Sequence, residues 1–369
     1  MTITGRGGGE TMIEQLRRDC IRHLSPDGTL TETGKEIWNR LDRDRKKNFF
    51  QWMTLVRHFD RRMILLQRQG RIGTYAPLEG QEAAQVGSAL ALQRKDWIFP
   101  SYREHGVAMI AGMPLSQILL YWMGRVEGCK APEGVRIFPP SVPIATQIPH
   151  AVGAAWGFKL KKEDGVAVAY FGDGATSEGD FHEACNFAGV FQVPVILFCQ
   201  NNGYAISVPF SRQSASKTVA EKAKSYDFPG IRVDGNDVLA VYDVMLQAIE
   251  RARARKGPTL IEAVTYRKGP HTTADDATRY RPQAEVNEWV HQKDPLLRYT
   301  RLLKNEGLLT GKEEKEWEQT CKEKLDLAII EAEKFPPAPP EHLFAHVYGN
   351  LPSNERKQRQ ELVQKRDRV

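Results

Sequence analysis

The stretch that most constrains the fold runs from Val166 to Tyr204. It opens with an apolar, partly β-branched run, Val166-Ala-Val-Ala-Tyr-Phe171, which reads as a buried strand. Gly172-Asp173-Gly174 follows at once, then a polar segment from Ala175 to Gly179, then a predicted amphipathic helix over Asp180 to Phe191. A second apolar run, Val193 to Cys199, ends at Gln200-Asn201-Asn202-Gly203-Tyr204. Strand, helix and strand in so short a span form a βαβ unit, whose strands run parallel. Both polar tips then fall at the carboxyl ends of their strands, the edge where open α/β sheets bind ligands.

The residue types at those tips narrow the ligand. Glycines permit a tight turn and let backbone N–H groups approach a phosphate. Asp173 sits between two of them, and a bare carboxylate repels a diphosphate. A hard divalent cation resolves the conflict, because Mg²⁺ accepts a carboxylate, an amide oxygen, a main-chain carbonyl and phosphate oxygens together. On this reading Asp173, Asn202 and the carbonyl of Tyr204 are the metal ligands. Two alternatives stand beside it: an ordinary βαβ unit whose Gly and Asn only make turns, and the dinucleotide site of an oxidoreductase. Against the second, Gly172 to Gly179 does not spell G-x-G-x-x-G, and no Walker lysine is present.

GDG followed after Ala175 to Gln200 by NN resembles the thiamine diphosphate motif. More specific words surround it: Ile98-Phe-Pro-Ser-Tyr-Arg-Glu-His-Gly106, Ala145-Thr-Gln-Ile-Pro149, Gly172-Asp-Gly-Ala-Thr-Ser-Glu-Gly-Asp180, Asn201-Asn-Gly-Tyr-Ala-Ile-Ser207, and Tyr266 to Arg281. Together, from about Asp42 to Pro352, they resemble the alpha subunit of the decarboxylating first component of 2-oxo acid dehydrogenase complexes. The resemblance implies thiamine diphosphate and Mg²⁺ as cofactors. It implies cofactor contacts from Tyr102, Arg103, Gly172, Asp173, Gly174, Ala175, Asn202, Tyr204 and His271, and thiamine-ring contacts from Val142 and Ile144. In some members Ser141, Pro143, Thr146 and Gln147 form a potassium (K⁺) site.

The same resemblance explains a gap. Thiamine chemistry needs a carboxylate against the aminopyrimidine, and no motif here supplies it; Glu178 and Glu183 are expected beyond the diphosphate. In the family that glutamate comes from a beta subunit, at the alpha–beta interface of an alpha2-beta2 heterotetramer, and a lipoyl group on the acyltransferase component accepts the acyl group. The substrate is read as pyruvate first, from Ala76 to Glu82 and Gly269 to Asp276, with a branched-chain 2-oxo acid as the alternative. A non-catalytic scaffold that kept the fold is the reading from another class.

Along the rest of the chain, alternating apolar strands and helices predict an α/β fold, a doubly wound parallel sheet flanked by helices. Three regions are expected: an N-terminal extension over 1–41, the cofactor-binding domain over 42–292, and a C-terminal helical region over 293–369. Asn48 to Gln69 has helical apolar spacing, and Glu79 opens another helix to about Leu92. Pro149 to about Leu160, Thr218 to Tyr226 and Leu239 to Ala254 also read as helices, and Ile231 to Asn236 and Pro258 to Tyr266 as strand segments. Leu24 to Thr33 reads as a turn or short hairpin. His105 is expected in a packing or surface role, and Gly153-Ala-Ala-Trp-Gly157 as a surface for close helix approach.

The loop from Arg267 to Arg281 reads as too polar for a core. By resemblance it is the mobile loop whose catalytic histidine, His271, sits over the cofactor, with Arg279 and Arg281 facing negative charge and His271 titrating near neutral pH. In mitochondrial members phosphorylation of this segment inhibits; here Thr272 and Pro282 stand at the serine positions, which argues against kinase control.

Composition excludes other classes. At 369 residues and 41% hydrophobic the chain can bury a large core. Its net charge of +6 comes from interleaved charges such as Arg40 to Lys47, so no nucleic-acid patch is expected. Five scattered cysteines show neither metal-ligand spacing nor a disulfide framework, and read as reduced thiols in a cytoplasmic protein. No apolar run reaches transmembrane length, and the Gly-rich first dozen residues, expected to be disordered, lack the apolar core of a secretory signal.

Overall fold

The computed structural model describes residues 20–345 and 347–366; the Gly-rich start lies outside the described residues. Five parallel strands form the central sheet: β1 (Trp97–Phe99), β2 (Ala167–Gly172), β3 (Val195–Asn201), β6 (Gly230–Asp234) and β7 (Thr259–Val264), in the order β1-β2-β3-β7-β6. The two apolar runs of the βαβ unit pair in register, Val168 with Ile196 and Phe171 with Cys199. β3 and β7 are buried along their whole length, the mark of a parallel sheet covered on both faces.

The side-chain period of two divides each strand between two cores. Val168, Tyr170, Ile196, Phe198 and Ile261 face helices α2 (Arg43–Arg68), α3 (Glu82–Ala91) and α9 (Val238–Arg253). Ala167, Ala169, Phe171, Leu197, Cys199 and Leu260 face α6 (Gln147–Lys161) and α7 (Gly179–Phe191). Between α3 and α6 lie two short helices, α4 (His105–Ala111) and α5 (Leu115–Trp122); a small β-ribbon, β4 (Tyr204–Ala205) with β5 (Val208–Pro209), leads into α8 (Phe210–Gln213). The doubly wound architecture expected from sequence is therefore present. α1 (Glu32–Arg40) precedes the sheet, and α10 (Gln283–Gln292), α11 (Pro295–Asn305), α12 (Gly311–Lys334) and α13 (Ser353–Arg366) follow it. Leu24, Trp38, Tyr299, Leu302 and Leu325 join the first core, and Ile21 extends the sheet by a parallel bridge to Val233.

Several boundaries differ from the sequence reading. α2 starts at Arg43, inside the charged run, because the Asp42 side chain caps it by accepting the Arg45 N–H at 2.6 Å. Residues 220–226 form a tight 3₁₀ segment instead of a full α-helix. Leu24 and Leu30 do bridge antiparallel, as a short hairpin requires. Among the described residues no helix is long and apolar enough to cross a membrane.

Candidate active site

A cavity of about 550 Å³ opens at the carboxyl ends of β1, β2 and β3. All the cofactor-binding positions predicted from sequence line it: Tyr102, Arg103, Val142, Ile144, Gly172, Asp173, Gly174, Ala175, Asn202, Tyr204 and His271.

The Gly-Asp-Gly tip leaves β2 as a 3₁₀ turn, Asp173–Ser177. A Cβ on Gly174 would lie 2.9 Å from the Cβ of Ala205, so glycine is required where this turn meets the second tip. That second tip is held from below. Buried Glu262 on β7 accepts the Asn201 amide at 2.7 Å, and Asn201 Oδ1 accepts the Gly203 N–H at 3.0 Å. Gly203 turns at φ 85°, which presents Asn202 to the cavity.

Asp173 is 1% exposed. Its Oδ2 accepts from the Gln213 amide at 2.6 Å, but Oδ1 is buried with no hydrogen-bond partner. Burial pushes its pKa up to about 6, against the opposing pull of the Gln213 amide, the backbone N–H groups of Asp173 and Asn202, and Arg267. An ionised carboxylate oxygen buried alone is costly, and a cation beside it removes the cost. Asn202 supplies an amide oxygen on the neighbouring tip. A shell of one carboxylate, one amide and one carbonyl contains no cluster of three His, Cys, Asp or Glu, and none occurs among the described residues. The donor set suits a hard cation that keeps phosphate oxygens as its remaining ligands.

Two arginines, Arg103 and Arg267, also line the cavity. Arg103, 6% exposed, donates only to neutral acceptors: the carbonyl of Pro77, the His271 carbonyl at 3.0 Å and His271 Nδ1 at 3.2 Å. A guanidinium cannot accept, so Nδ1 is the acceptor and the imidazole carries its proton on Nε2. Arg267, 2% exposed, donates to the carbonyls of Gly269 and Ile206 and to the Tyr280 hydroxyl. Burial, with Arg103 next in weight, lowers its pKa to about 10. Among the described residues neither arginine is in a salt bridge. Two buried guanidinium groups outside any salt bridge, lining the same cavity as a buried carboxylate with one unpartnered oxygen, fit a metal-bound diphosphate.

His271 departs from its sequence reading. Burial first, then Arg103 and Arg267, lower its pKa to about 3, so it is neutral here and does not titrate near pH 7. The loop lies largely outside the core, half-buried or exposed from Lys268 to Tyr280, and only its end residues Arg267 and Arg281 are buried. Arg281 does not face the cavity: it donates to the carbonyls of Arg267, Lys268 and Gly269 and lies over the Tyr266 ring. Arg279 is exposed. The loop is fastened to the segment before α3 through Lys268 N–H to Glu79 O and Thr273 N–H to Tyr75 O, each 2.8 Å.

Other predicted positions fall into place. Val142 and Ile144 line the cavity while 59% and 45% exposed. Ser141 Oγ and Thr146 Oγ1 lie 2.9 Å apart, both donate to Pro143 O, and Gln147 Oε1 is buried without a partner. Glu178 also lines the cavity. His105 is a packing residue, stacked on Tyr75 at 5.2 Å and pushed down to about 3 by burial.

Sequence reasoning assigned no role to Arg267, Gln81, Gln200, Glu104, Gln213 or Ile206, all of which line the cavity or hold a group that does. Most are single polar residues in ordinary context, with no spacing signal. Ile206 has a backbone signal only: it holds φ 57°, a conformation that costs a residue like isoleucine about 1–2 kcal/mol and that clusters at functional sites.

Comparison with known proteins agrees with this geometry. The family model described as "Dehydrogenase E1 component" matches residues 50–341. The chain is 45% identical over 358 residues to the 3-methyl-2-oxobutanoate dehydrogenase subunit alpha of Mycobacterium tuberculosis, covering 95% of each. It is 43% identical over 341 residues to the pyruvate dehydrogenase E1 component subunit alpha of Staphylococcus aureus, covering 92% of this chain and 91% of that one. The Staphylococcus epidermidis protein of the same name is 41% identical over the same length. The chain therefore belongs to the dehydrogenase E1 component family, thiamine diphosphate-dependent oxidoreductases of 2-oxo acid dehydrogenase complexes.

Proposed function

We propose that this chain is the alpha subunit of a pyruvate dehydrogenase, working with a beta subunit in an alpha2-beta2 heterotetramer and passing its acyl group to a lipoyl domain of an acyltransferase. The observation that carries the reading is the pairing of Asp173, a buried carboxylate with one unpartnered oxygen, with the unpaired guanidinium groups of Arg103 and Arg267 in one cavity.

Asp173, Asn202 and the Tyr204 carbonyl hold Mg²⁺, and Arg103, Arg267 and His271 hold the diphosphate. Tyr102, Val142 and Ile144 line the space for the rings. When bound, thiamine diphosphate supplies the electron sink for decarboxylation of a 2-oxo acid. The protein's share is placement: the cation neutralises Asp173 against the diphosphate, and the tip glycines let the backbone approach. Ser141 Oγ, Pro143 O, Thr146 Oγ1 and Gln147 Oε1 offer oxygens for K⁺, with the unpartnered Gln147 oxygen as support.

A beta subunit is supported by two features. Val142 and Ile144 line the cavity while exposed. The buried glutamate at the wall, Glu104, has both oxygens engaged, by Gln200 and Ser101, and is not free to serve the cofactor. A 3-methyl-2-oxobutanoate dehydrogenase is the second reading, favoured by the 45% identity to the enzyme of that name. Decarboxylation of pyruvate against 3-methyl-2-oxobutanoate, measured with the beta subunit present, decides between them. Turnover of neither substrate overturns both.

A further inference from the structure

Asn202 is useful to a cation only if its amide oxygen, and not its nitrogen, faces the metal. An amide is nearly symmetric in shape, so something must choose. The structure contains a chain of four side chains that makes the choice. Asn202 Nδ2 donates to Gln81 Oε1 at 3.0 Å. Gln81 Nε2 donates to Gln200 Oε1 at 3.4 Å, and Gln200 Nε2 donates to Glu104 Oε1 at 2.6 Å. Ser101 Oγ donates to the second Glu104 oxygen at 2.7 Å. All four of Asn202, Gln81, Gln200 and Glu104 are buried, at 8, 1, 2 and 4% exposed, so each relies mainly on its neighbours for hydrogen bonds.

The direction of this chain follows from its far end. Burial raises the Glu104 pKa above its ordinary value, against the pull of Ser101 and Arg103; in its ionised form the carboxylate only accepts, so Gln200 turns its NH₂ toward it. Its carbonyl then faces Gln81, which must answer with its own NH₂. Gln81 is left with its carbonyl toward Asn202, which must in turn donate through Nδ2. The oxygen of Asn202 is thereby directed to the other side, where it already accepts the Tyr204 N–H at 3.3 Å. Flipping any single amide sets two acceptors or two donors against each other in a buried site, a penalty that neutral turns and caps do not impose.

We propose that Glu104, Gln200 and Gln81 form a positioning relay that sets the amide orientation of Asn202, and so its fitness as a metal ligand, from the segment that also carries Arg103. None of the three touches the cation; each acts through Asn202. The relay rests on the assignment of Asn202 to the metal made above. Because Glu104 follows Arg103 directly in sequence, the relay ties the diphosphate wall to the metal wall through side chains instead of through the sheet.

The test is a double-mutant cycle on metal affinity. Mn²⁺ binding is read by electron paramagnetic resonance on the assembly with its beta subunit and thiamine diphosphate, and melting temperature confirms the fold of each variant. Glu104→Gln keeps the shape of the side chain but no longer forces a direction, and should weaken Mn²⁺ about tenfold, as loss of an outer-shell partner does. In an Asn202→Ala background the same change should have less than about a twofold effect, because the residue it acts through is gone. Gln81→Met, which alters no charge, should repeat the pattern and serves if Glu104→Gln does not fold. Equal losses in both backgrounds, the result expected of simple charge removal or packing damage, would overturn the relay, as would no loss in either. Unchanged affinity in Asn202→Ala alone would overturn instead the metal assignment on which the relay rests.

Discussion

Replacing Asp173 with asparagine should make the metal-free chain more stable while disabling it. The carboxylate is fully buried, and its pKa rises from 3.8 to about 6 chiefly through burial. A raised carboxylate pKa means that ionisation is disfavoured in the folded state: the cost is absent below pH 3.8 and complete above about pH 6. At about 1.36 kcal/mol per pKa unit, this shift costs the folded chain about 3 kcal/mol at neutral pH. Asparagine removes the charge and keeps an oxygen for the Gln213 amide, but its NH₂ replaces the unpartnered Oδ1 and costs about 1 kcal/mol as a buried donor. The net gain is about 2 kcal/mol, or about 2–3 °C for a chain of this size. Thermal unfolding with chelator at about pH 7.5 should show that gain, and at about pH 5 it should shrink below about 1 kcal/mol because the native carboxyl is then mostly protonated. A destabilised Asp173→Asn, or a gain equal at both pH values, would refute the reasoning that a lone buried charge stands ready for a cation.

His271 supplies two further expectations. Its pKa is lowered from 6.5 to about 3, so its stability contribution is complete above pH 6.5 and is lost as pH falls from there toward 3. In the cofactor-free chain its imidazole resonances should show no titration midpoint between about pH 5 and 8, and His271→Ala should soften the loss of stability on acidification; a midpoint near neutrality would contradict this. In the assembled enzyme a bound diphosphate would oppose Arg103 and Arg267, two of the causes that hold His271 neutral, and so favour its protonated form; His271→Ala should then impair acyl transfer to a lipoyl domain much more than decarboxylation read with an artificial electron acceptor. Equal losses would reduce His271 to a cofactor anchor. The purified chain without a beta subunit should release no CO₂ from 2-oxo acids at saturating thiamine diphosphate and Mg²⁺, and robust turnover would place the activating carboxylate within this chain.

Much of the fold was legible because its signals are local. Val166 to Phe171 and Val193 to Cys199 are runs too short for helices and too apolar for surface, and they became central strands β2 and β3. Glycine and asparagine at the strand ends marked the tips because turns there need left-handed backbone, as at Gly203. In the loop after β7 polarity marked exposure only between its ends. Arg267 and Arg281 are buried by donating to carbonyls, a solution that composition does not reveal. The neutral state of His271 was also out of reach, since it follows first from burial and then from Arg103, which lies far away in sequence and beside it in space. Gln81, Gln200 and Glu104 share that property: each is unremarkable where it stands in the chain, and acquires a direction only when the fold lines them up.

On the proposed function, Asp173 and Asn202 hold a cation which in turn holds the diphosphate. That claim is tested most directly by thiamine diphosphate binding to the assembled enzyme across a Mg²⁺ titration, for the native chain and for Asp173→Ala. Binding to the native chain should be metal-dependent, and Asp173→Ala should weaken it by at least the roughly 10–100-fold typical of outer-shell losses, with the fold intact. Unchanged, metal-dependent binding in Asp173→Ala would contradict the claim.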